Sequence, residues 1–493
     1  MKKILVANRG EIAIRVMRSA REMGIKTVAV YSEADREALH VRYADEAVLI
    51  GPAPSSQSYL VMDKILEAAK LTGADAIHPG YGFLSENATF ADKVVEAGLI
   101  FIGPFGDSMR QMGSKLAAKA TAEKHNIPLV PGTAKAIESV EEGKRIAGEV
   151  GFPLLIKASA GGGGKGMRIV HHADEFEEQM KLAVSEAISS FGDGAVFIER
   201  YVASPRHIEI QVLGDTHGNV VYLFERECSI QRRHQKVVEE APSSVLTPAI
   251  REAMGRCAVQ VSKACNYVGA GTVEFLLDEN LNFYFLEMNT RLQVEHPVTE
   301  YITGLDLVKE QIKVARGEKL SFAQEDMKIN GHAMEIRVCA EDPTNNFLPD
   351  IGNLQTYRIP QGPGVRVDDA YEEGMDIPIY YDPMIAKLIT FGKDREEAIQ
   401  RMIRAIDDYK ISGVKTTLEF CRFVMEHSAF TSGKFDTHFV KNHFSPEMLL
   451  KSDEQEMEVA AFLAVSMLRK KSIPAVSQEN AGSGSRWKNN RLN

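Results

Sequence analysis

Lys157-Ala-Ser-Ala-Gly-Gly-Gly-Gly-Lys-Gly-Met167 is the stretch on which the reading of this chain turns. Four consecutive glycines free the backbone N–H groups to wrap a phosphate, and the flanking lysines add charge. A flexible surface turn is the competing reading, but four glycines in a row cost much chain entropy to order, which favours a phosphate loop. The spacing is not GxxxxGK[ST], so the P-loop fold does not follow. Around the loop the pattern predicts a helix from Val140 to Val150, a strand from Leu154 to Ala158, another strand, a helix from Asp174 to about Ser189 and a strand from Ala195 to Tyr201. Residues 131–203 thus read as a small domain with the build of a mobile lid.

Before it, Lys3 to Ala7 reads as a buried strand, Glu11 to Met23 as a helix and Thr27 to Tyr31 as a second strand, a βαβ opening. Asn8-Arg9-Gly10 has one glycine where a dinucleotide fingerprint needs three, so a scaffold turn is preferred there. The alternation continues to residue 103 and defines an N-terminal α/β domain, and 104–130 reads as a polar helical linker. Residues 204–447 form the largest unit, α+β, with strands near Glu209 to Leu213 and Val220 to Arg226 and a helix from Pro248 to Asn266. Residues 448–493 begin helically and end in GSGSRWKNNRLN, a composition that favours a disordered tail.

The chain has 493 residues, 44% apolar and 26% charged, enough to build a core without disulfides. Lys and Arg number 58 against 68 Asp and Glu, a net charge of −10, which argues against nucleic acid or anionic lipid as partner. No apolar run approaches a membrane span, and the N-terminus turns polar before a signal sequence forms, so the expected address is cytoplasmic. Five cysteines without CxxC spacing fit reduced thiols.

Gly271-Thr-Val-Glu-Phe-Leu-Leu277, a turn DENLN, and Phe283-Tyr-Phe-Leu-Glu-Met-Asn289 read as a β-hairpin that sets Glu274 beside Glu287. Facing carboxylates repel unless a cation lies between, and with Asn289 they suit Mg²⁺ or Mn²⁺ bridging nucleotide phosphates; one half-buried and one solvated carboxylate is the alternative. Glu287, Asn289, Arg291, Gln293 and Glu295 alternate with apolar residues. Fully extended, this run would hold Glu287 and Glu295 ~26 Å apart, so a single site requires the chain to turn after Asn289. Gln231-Arg-Arg-His-Gln-Lys236 is a cationic cluster suited to an anionic substrate, or else a solvated loop. Arg337 lies on a strand with an apolar opposite face.

Together KILVANRGEIA, HPGYGFLSEN, GGGGKGM, IQRRHQKVVEEAP, FLEMNTRLQVEHPVTE and EIRVCAEDP resemble, in that order, the biotin carboxylases, an ATP-grasp family, over nearly the whole chain to about residue 447. The resemblance implies a Rossmann-like N-terminal domain, ATP-grasp lid and central domains and a C-terminal biotin carboxylase domain. It implies a ligase that uses ATP and bicarbonate to carboxylate biotin through carboxyphosphate, the first half-reaction of an acyl-CoA or pyruvate carboxylase. By the same resemblance Lys115, Lys157, Gly163 and Gly164 contact ATP phosphates, Glu199, Arg200, Tyr201 and Val202 hold the adenine, and His207 and His234 lie near the ribose or phosphates. The family has Glu-Lys where this chain has Glu199-Arg200. Glu274, Glu287 and Asn289 bind two divalent ions, Lys236, Arg291, Gln293 and Val294 hold bicarbonate, Glu295 is the base, and Arg337 stabilises the biotin enolate. The implied partners are a biotin carboxyl carrier protein, a second copy of this chain and a carboxyltransferase subunit.

Two rival readings are open to the sequence. An ATP-grasp ligase joining a carboxylate to an amine leaves Arg337 and Glu295 without work, and a non-catalytic nucleotide regulator would have lost the metal carboxylates. The two strings closest to a biotin-bearing Met-Lys turn, around Lys181 and Lys328, both fail: helical spacing puts Lys181 on a helix, and no carrier-sized β domain surrounds Lys328. The biotin is therefore expected on another polypeptide.

Overall fold

The computed structural model describes residues 1–133, 135–137, 139–159, 166–449 and 461–466. The tail expected to be disordered, and the Gly163 and Gly164 of the glycine loop, lie outside the described residues apart from 461–466, which are helical. By compactness the chain divides into Met1–Leu449 and Leu450–Asn493.

The opening of the first unit is a five-stranded parallel sheet in the order β3-β2-β1-β4-β5, from β1 (Lys3–Val6), β2 (Lys26–Ser32), β3 (Glu46–Gly51), β4 (Ala76–His78) and β5 (Ile100–Phe101). Ile4, Leu5 and Val6 are wholly buried, as a parallel strand covered on both faces demands. The helix Gly10–Glu22 leaves β1 through Gly10, whose φ of +67° belongs to the left-handed region. The turn before it is scaffold: Asn8 Nδ2 donates to the carbonyls of Pro79 and Tyr81, and Arg9 makes a two-bond fork with Asp35.

Residues expected to be a polar linker form the helices Gly106–Gly113 and Lys115–Lys124, and they bury Met112, Ala118, Ala122 and Ile127 against the neighbouring sheet. The sheet β7-β6-β8 follows, made of β6 (Leu154–Ala158), β7 (Met167–Val170) and β8 (Val196–Arg200), all antiparallel, with the helices Val140–Val150 and Phe176–Phe191 packed on it. The glycine run thus joins the adjacent strands β6 and β7. Lys181 is on the second of these helices, as its spacing predicted.

The body of the molecule is one eight-stranded sheet. Its first six strands are β9 (Arg206–Gly214), β10 (Val220–Arg232), β11 (Gln235–Ala241), β12 (Gly269–Leu277), β13 (Phe283–Asn289) and β14 (His332–Cys339). The order runs β13-β12-β9-β10-β11-β14 and continues through Met384–Gly392 to Val365–Asp369. The helix Pro248–Ala264 covers β9 and β10 on one side. It stops two residues short of the expected Asn266, because Asn266 has turned left-handed at φ +51°.

Candidate active site

Glu274 and Glu287 are register partners across β12 and β13, as the hairpin predicted. Burial and the facing Glu274 raise the pKa of Glu287, while Lys236 and His207 overcome burial to hold Glu274 well below the usual carboxylate range. His207 Nε2 lies 3.0 Å from Glu274 Oε2, and Asn289 Nδ2 donates to Glu274 Oε1 at 2.7 Å. Crowded carboxylate oxygens beside an amide are the donor set of a hard divalent cation, so these residues fit Mg²⁺ or Mn²⁺.

After Asn289 the chain leaves the strand and turns, entering the helix His296–Thr303 at Pro297. The turn that a single site required is therefore present. It is held from the N-terminal domain by Glu86, which accepts from the Thr290 backbone N–H at 3.0 Å and from Arg291 Nε at 2.8 Å.

Lys236 is the hub. Its Nζ donates to Glu295 at 2.7 Å, Glu274 at 3.0 Å and Gln293 at 3.1 Å, and also to Glu209. Three carboxylates around one ammonium push its pKa well above the lysine value against the effect of burial. The cationic cluster is a tight hairpin between β10 and β11, with Arg233 and His234 both at positive φ, +49° and +66°. Side chains in that region cost of order 1–3 kcal/mol each, a strain typical of functional turns.

Glu295, 1% exposed, is gripped on its other oxygen by Arg337 Nη2 at 2.9 Å, and Arg337 Nε donates to Glu239 at 2.8 Å. Burial would raise the pKa of Glu295, but Lys236 and Arg337 hold it far below the usual range. Behind this lies Arg226, fully buried, donating to Glu209, Gln211, Thr299 and Thr272 at 2.5–3.0 Å.

Two cavities meet here. One, of about 390 Å³, is lined by Lys115, Lys157, His207, His234, Glu274 and Glu287 among others. The second, of about 600 Å³, is bounded by Asn8, Glu11, Tyr81, Tyr381 and Asp382. Lys236, Arg291, Val294 and Arg337 line both and stand at the junction, whereas Gln293 and Glu295 line only the smaller cavity.

Glu199 to Val202 line neither cavity. Glu199 is buried and accepts from Lys157 at 2.5 Å and from Lys119, whose ammonium also sits 4.1 Å from the centre of the Phe197 ring. Arg200 is exposed, 3.2 Å from Tyr284 Oη, and Tyr201 Oη lies 3.4 Å from His438 Nε2. Sequence reading missed Glu86, Lys119, Glu209, Arg226 and Glu239. The alternation of His207, Glu209 and Gln211 with Ile208, Ile210 and Val212 was a signal that could have exposed Glu209.

A small three-stranded sheet whose strands β6 and β7 flank the glycine run in sequence, beside a larger antiparallel sheet with paired glutamates, defines the ATP-grasp class of nucleotide-dependent ligases. Residues 1–109 match the family model described as biotin carboxylase, N-terminal domain, 114–323 the carbamoyl-phosphate synthase L chain, ATP binding domain, and 335–442 the biotin carboxylase C-terminal domain. A pyruvate carboxylase subunit of Methanothermobacter thermautotrophicus is 53% identical over 96% of this chain and 97% of its own. Biotin carboxylase 1 of Bacillus subtilis is 53% identical over 90% of this chain and 99% of its own. The mitochondrial propionyl-CoA carboxylase alpha chain of Homo sapiens is 55% identical over 92% of this chain, which spans 63% of that longer protein. Among solved structures, the biotin carboxylase domain dimer of Hydrogenobacter thermophilus 2-oxoglutarate carboxylase, in complex with MgADP, ADP and bicarbonate, superposes with a TM-score of 0.86 at 50% identity, covering 90% of this chain and 97% of that one. Campylobacter jejuni biotin carboxylase gives 0.87 at 46% identity, covering 90% and 99%. The chain belongs to the biotin carboxylase family.

Proposed function

We propose that this chain carboxylates biotin borne by a separate carrier protein, using ATP and bicarbonate, as the first half-reaction of a biotin-dependent carboxylase. The observation that carries the reading is the junction of the two cavities at Lys236 and Arg337, which are both bonded to the one carboxylate of Glu295. Divalent ions at Glu274, Glu287 and Asn289 would neutralise charge on the transferring phosphoryl group. Lys115 and Lys157 hold the nucleotide phosphates, and Glu199 to Val202 the adenine once Glu199 yields Lys157.

Bicarbonate sits among Lys236, Arg291, Gln293 and the Val294 backbone. Glu295 removes its proton as its oxygen attacks the γ-phosphorus and the bond to ADP breaks, giving carboxyphosphate. That mixed anhydride hydrolyses in water, which gives residues 131–203 and the glycine run Gly161 to Gly164 a role as a lid. It breaks into CO₂ and phosphate, the released phosphate takes the proton from the ureido nitrogen of biotin, and Arg337 stabilises the enolate oxygen while the new N–C bond to CO₂ forms. Glu295 is poised for the first proton only once bicarbonate displaces Lys236 or Arg337 from it, since a carboxylate held by both is too weak a base.

Homodimerisation and a carboxyltransferase partner complete the proposal, and five free cysteines suit a reducing, cytoplasmic setting. Among the described residues no helix is long and apolar enough to cross a membrane. Steady-state ATP cleavage is the test: it should require both bicarbonate and biotin for its full rate, and a rate indifferent to both refutes the proposal. An acceptor series of biotin and amino acids separates this reading from an amide-forming ligase.

A further inference from the structure

Lys387 has no part in the reaction as derived, yet it is wholly buried and bonded to Val294, which lines both cavities. It lies on the strand Met384–Gly392, in register with Arg337 of β14 on one side and Asp368 on the other. Two cations on neighbouring strands therefore project side by side from one face. Arg337 takes the carboxylate of Glu295, and Lys387 Nζ donates to the backbone carbonyl of Val294 at 2.9 Å. Consecutive residues of the turn are thus held by adjacent strands.

A buried ammonium needs compensation, and Lys387 has it from Glu11 Oε1 at 3.3 Å and Asp368 Oδ2 at 3.8 Å. Charge balance alone would be served by those acids, so the shorter bond to a neutral carbonyl has a different consequence. Val294 stands between the end of β13 and the helix at His296, where no regular ladder fixes the peptide plane. The peptide Lys387 grips is the one that joins Val294 to Glu295.

We infer that Lys387 is a positioning residue for the base: by anchoring the Val294 carbonyl it sets the backbone from which the Glu295 carboxylate and the Val294 N–H reach bicarbonate. This rests on the proposed reaction. Displacing that peptide by ~1 Å would misalign base and nucleophile, a geometric fault worth about 10²-fold in rate, without touching the nucleotide subsite.

The test compares wild type with Lys387→Met, which keeps the length of the side chain and removes the donor. Turnover is counted per nucleotide-binding site, so that any unfolded fraction drops out. Lys387→Met should lose about 10²-fold in kcat of bicarbonate-dependent ATP cleavage, with KM for MgATP within about twofold of wild type. Lys387→Arg, which restores a donor, should recover at least about a tenth of the rate. A merely structural lysine would instead lower the thermal midpoint and leave kcat per site unchanged, and that result overturns the inference. So does an equal loss in MgATP affinity. If Lys387→Met does not fold, the charge-balanced Glu11→Gln, Lys387→Met pair must show the same kcat loss, well beyond that of Glu11→Gln alone, or the role is refuted. A wild-type chain indifferent to bicarbonate and biotin overturns the proposed reaction and this role with it, whereas an active wild type beside an unimpaired Lys387→Met overturns the role alone.

Discussion

Replacing Glu295 by Gln keeps the volume of the side chain and removes only its charge, and the surrounding bonds say what should follow. Loss of a general base lowers the rate about 10²–10⁴-fold, or about 2.7–5.4 kcal/mol of barrier at 1.36 kcal/mol per tenfold. The fold should lose stability too. Lys236 keeps Glu209 and Glu274, Arg337 keeps Glu239, and the repulsion of Glu295 against Glu209 and Glu239 disappears, but the charge that both cations hold ionised is lost. Breaking a buried ion pair from one side costs about 3–5 kcal/mol. Spread over the unit Met1–Leu449, with ~2.1 cal/mol/K of unfolding entropy per residue, that lowers the thermal midpoint by about 3–5 °C. Phosphate release with and without bicarbonate, calorimetric titration with MgATP and scanning calorimetry read the three quantities on one preparation. Because Lys236 and Arg337 hold Glu295 ionised far below neutrality, the rate loss should be flat across the neutral pH range. A tenfold or greater loss of MgATP affinity would make Glu295 a nucleotide or metal ligand, and a rate loss under about tenfold would deny it the role of base.

Arg226→Met strips a fully buried cation from Glu209, Gln211, Thr299 and Thr272, and breaking a buried pair from one side costs about 3–5 kcal/mol. Scanning calorimetry should show the midpoint about 3–5 °C lower, and an unchanged or higher midpoint contradicts the assigned network. His40 and His78 are buried and neutral, with pKa values lowered to about 4, chiefly by burial. The unfolded chain takes up their protons near pH 6.5 and the folded chain does not, so stability falls as the pH drops from about 6.5 to about 4, by about 3 kcal/mol for each. The Gly80 N–H donates to His78 Nδ1, which a proton there would forbid. His40→Leu should accordingly lose less stability than wild type on acidification, and an equal loss refutes the assignment.

What could be read from the residues was local or periodic. The Glu274–Glu287 pairing followed from two strands and a short turn, and the bend after Asn289 from an extended run too long for one site. Strand order is not local. Glu209, Arg226, Glu239 and Lys387 converge because β9, β10, β11, β14 and Met384–Gly392 are neighbours in the sheet, a pairing made across long stretches of chain. The Ala-rich helix Lys115–Lys124 looked solvated because small side chains give little periodic signal, yet its Ala118 and Ala122 let it approach the sheet closely. Lys119 was hidden for the same reason, since only the packing of that helix carries its ammonium to Glu199.

The single sheet that runs from β13 to Val365–Asp369 works as a gauge block. Glu274 on β12 and Arg337 on β14 are four ladder steps apart, their side chains joined through Lys236 and Glu295 by contacts of 2.7–3.0 Å, and each step of the sheet is locked by backbone hydrogen bonds. Their spacing cannot breathe without unzipping strands. A short-lived anhydride made at one station therefore has no moving joint to cross before it reaches the other, and whatever opens to admit nucleotide must swing elsewhere. The same rigidity makes the two stations share their fate: a substitution that loosens the strand carrying Arg337 should be felt at Glu274 and Glu287 as well.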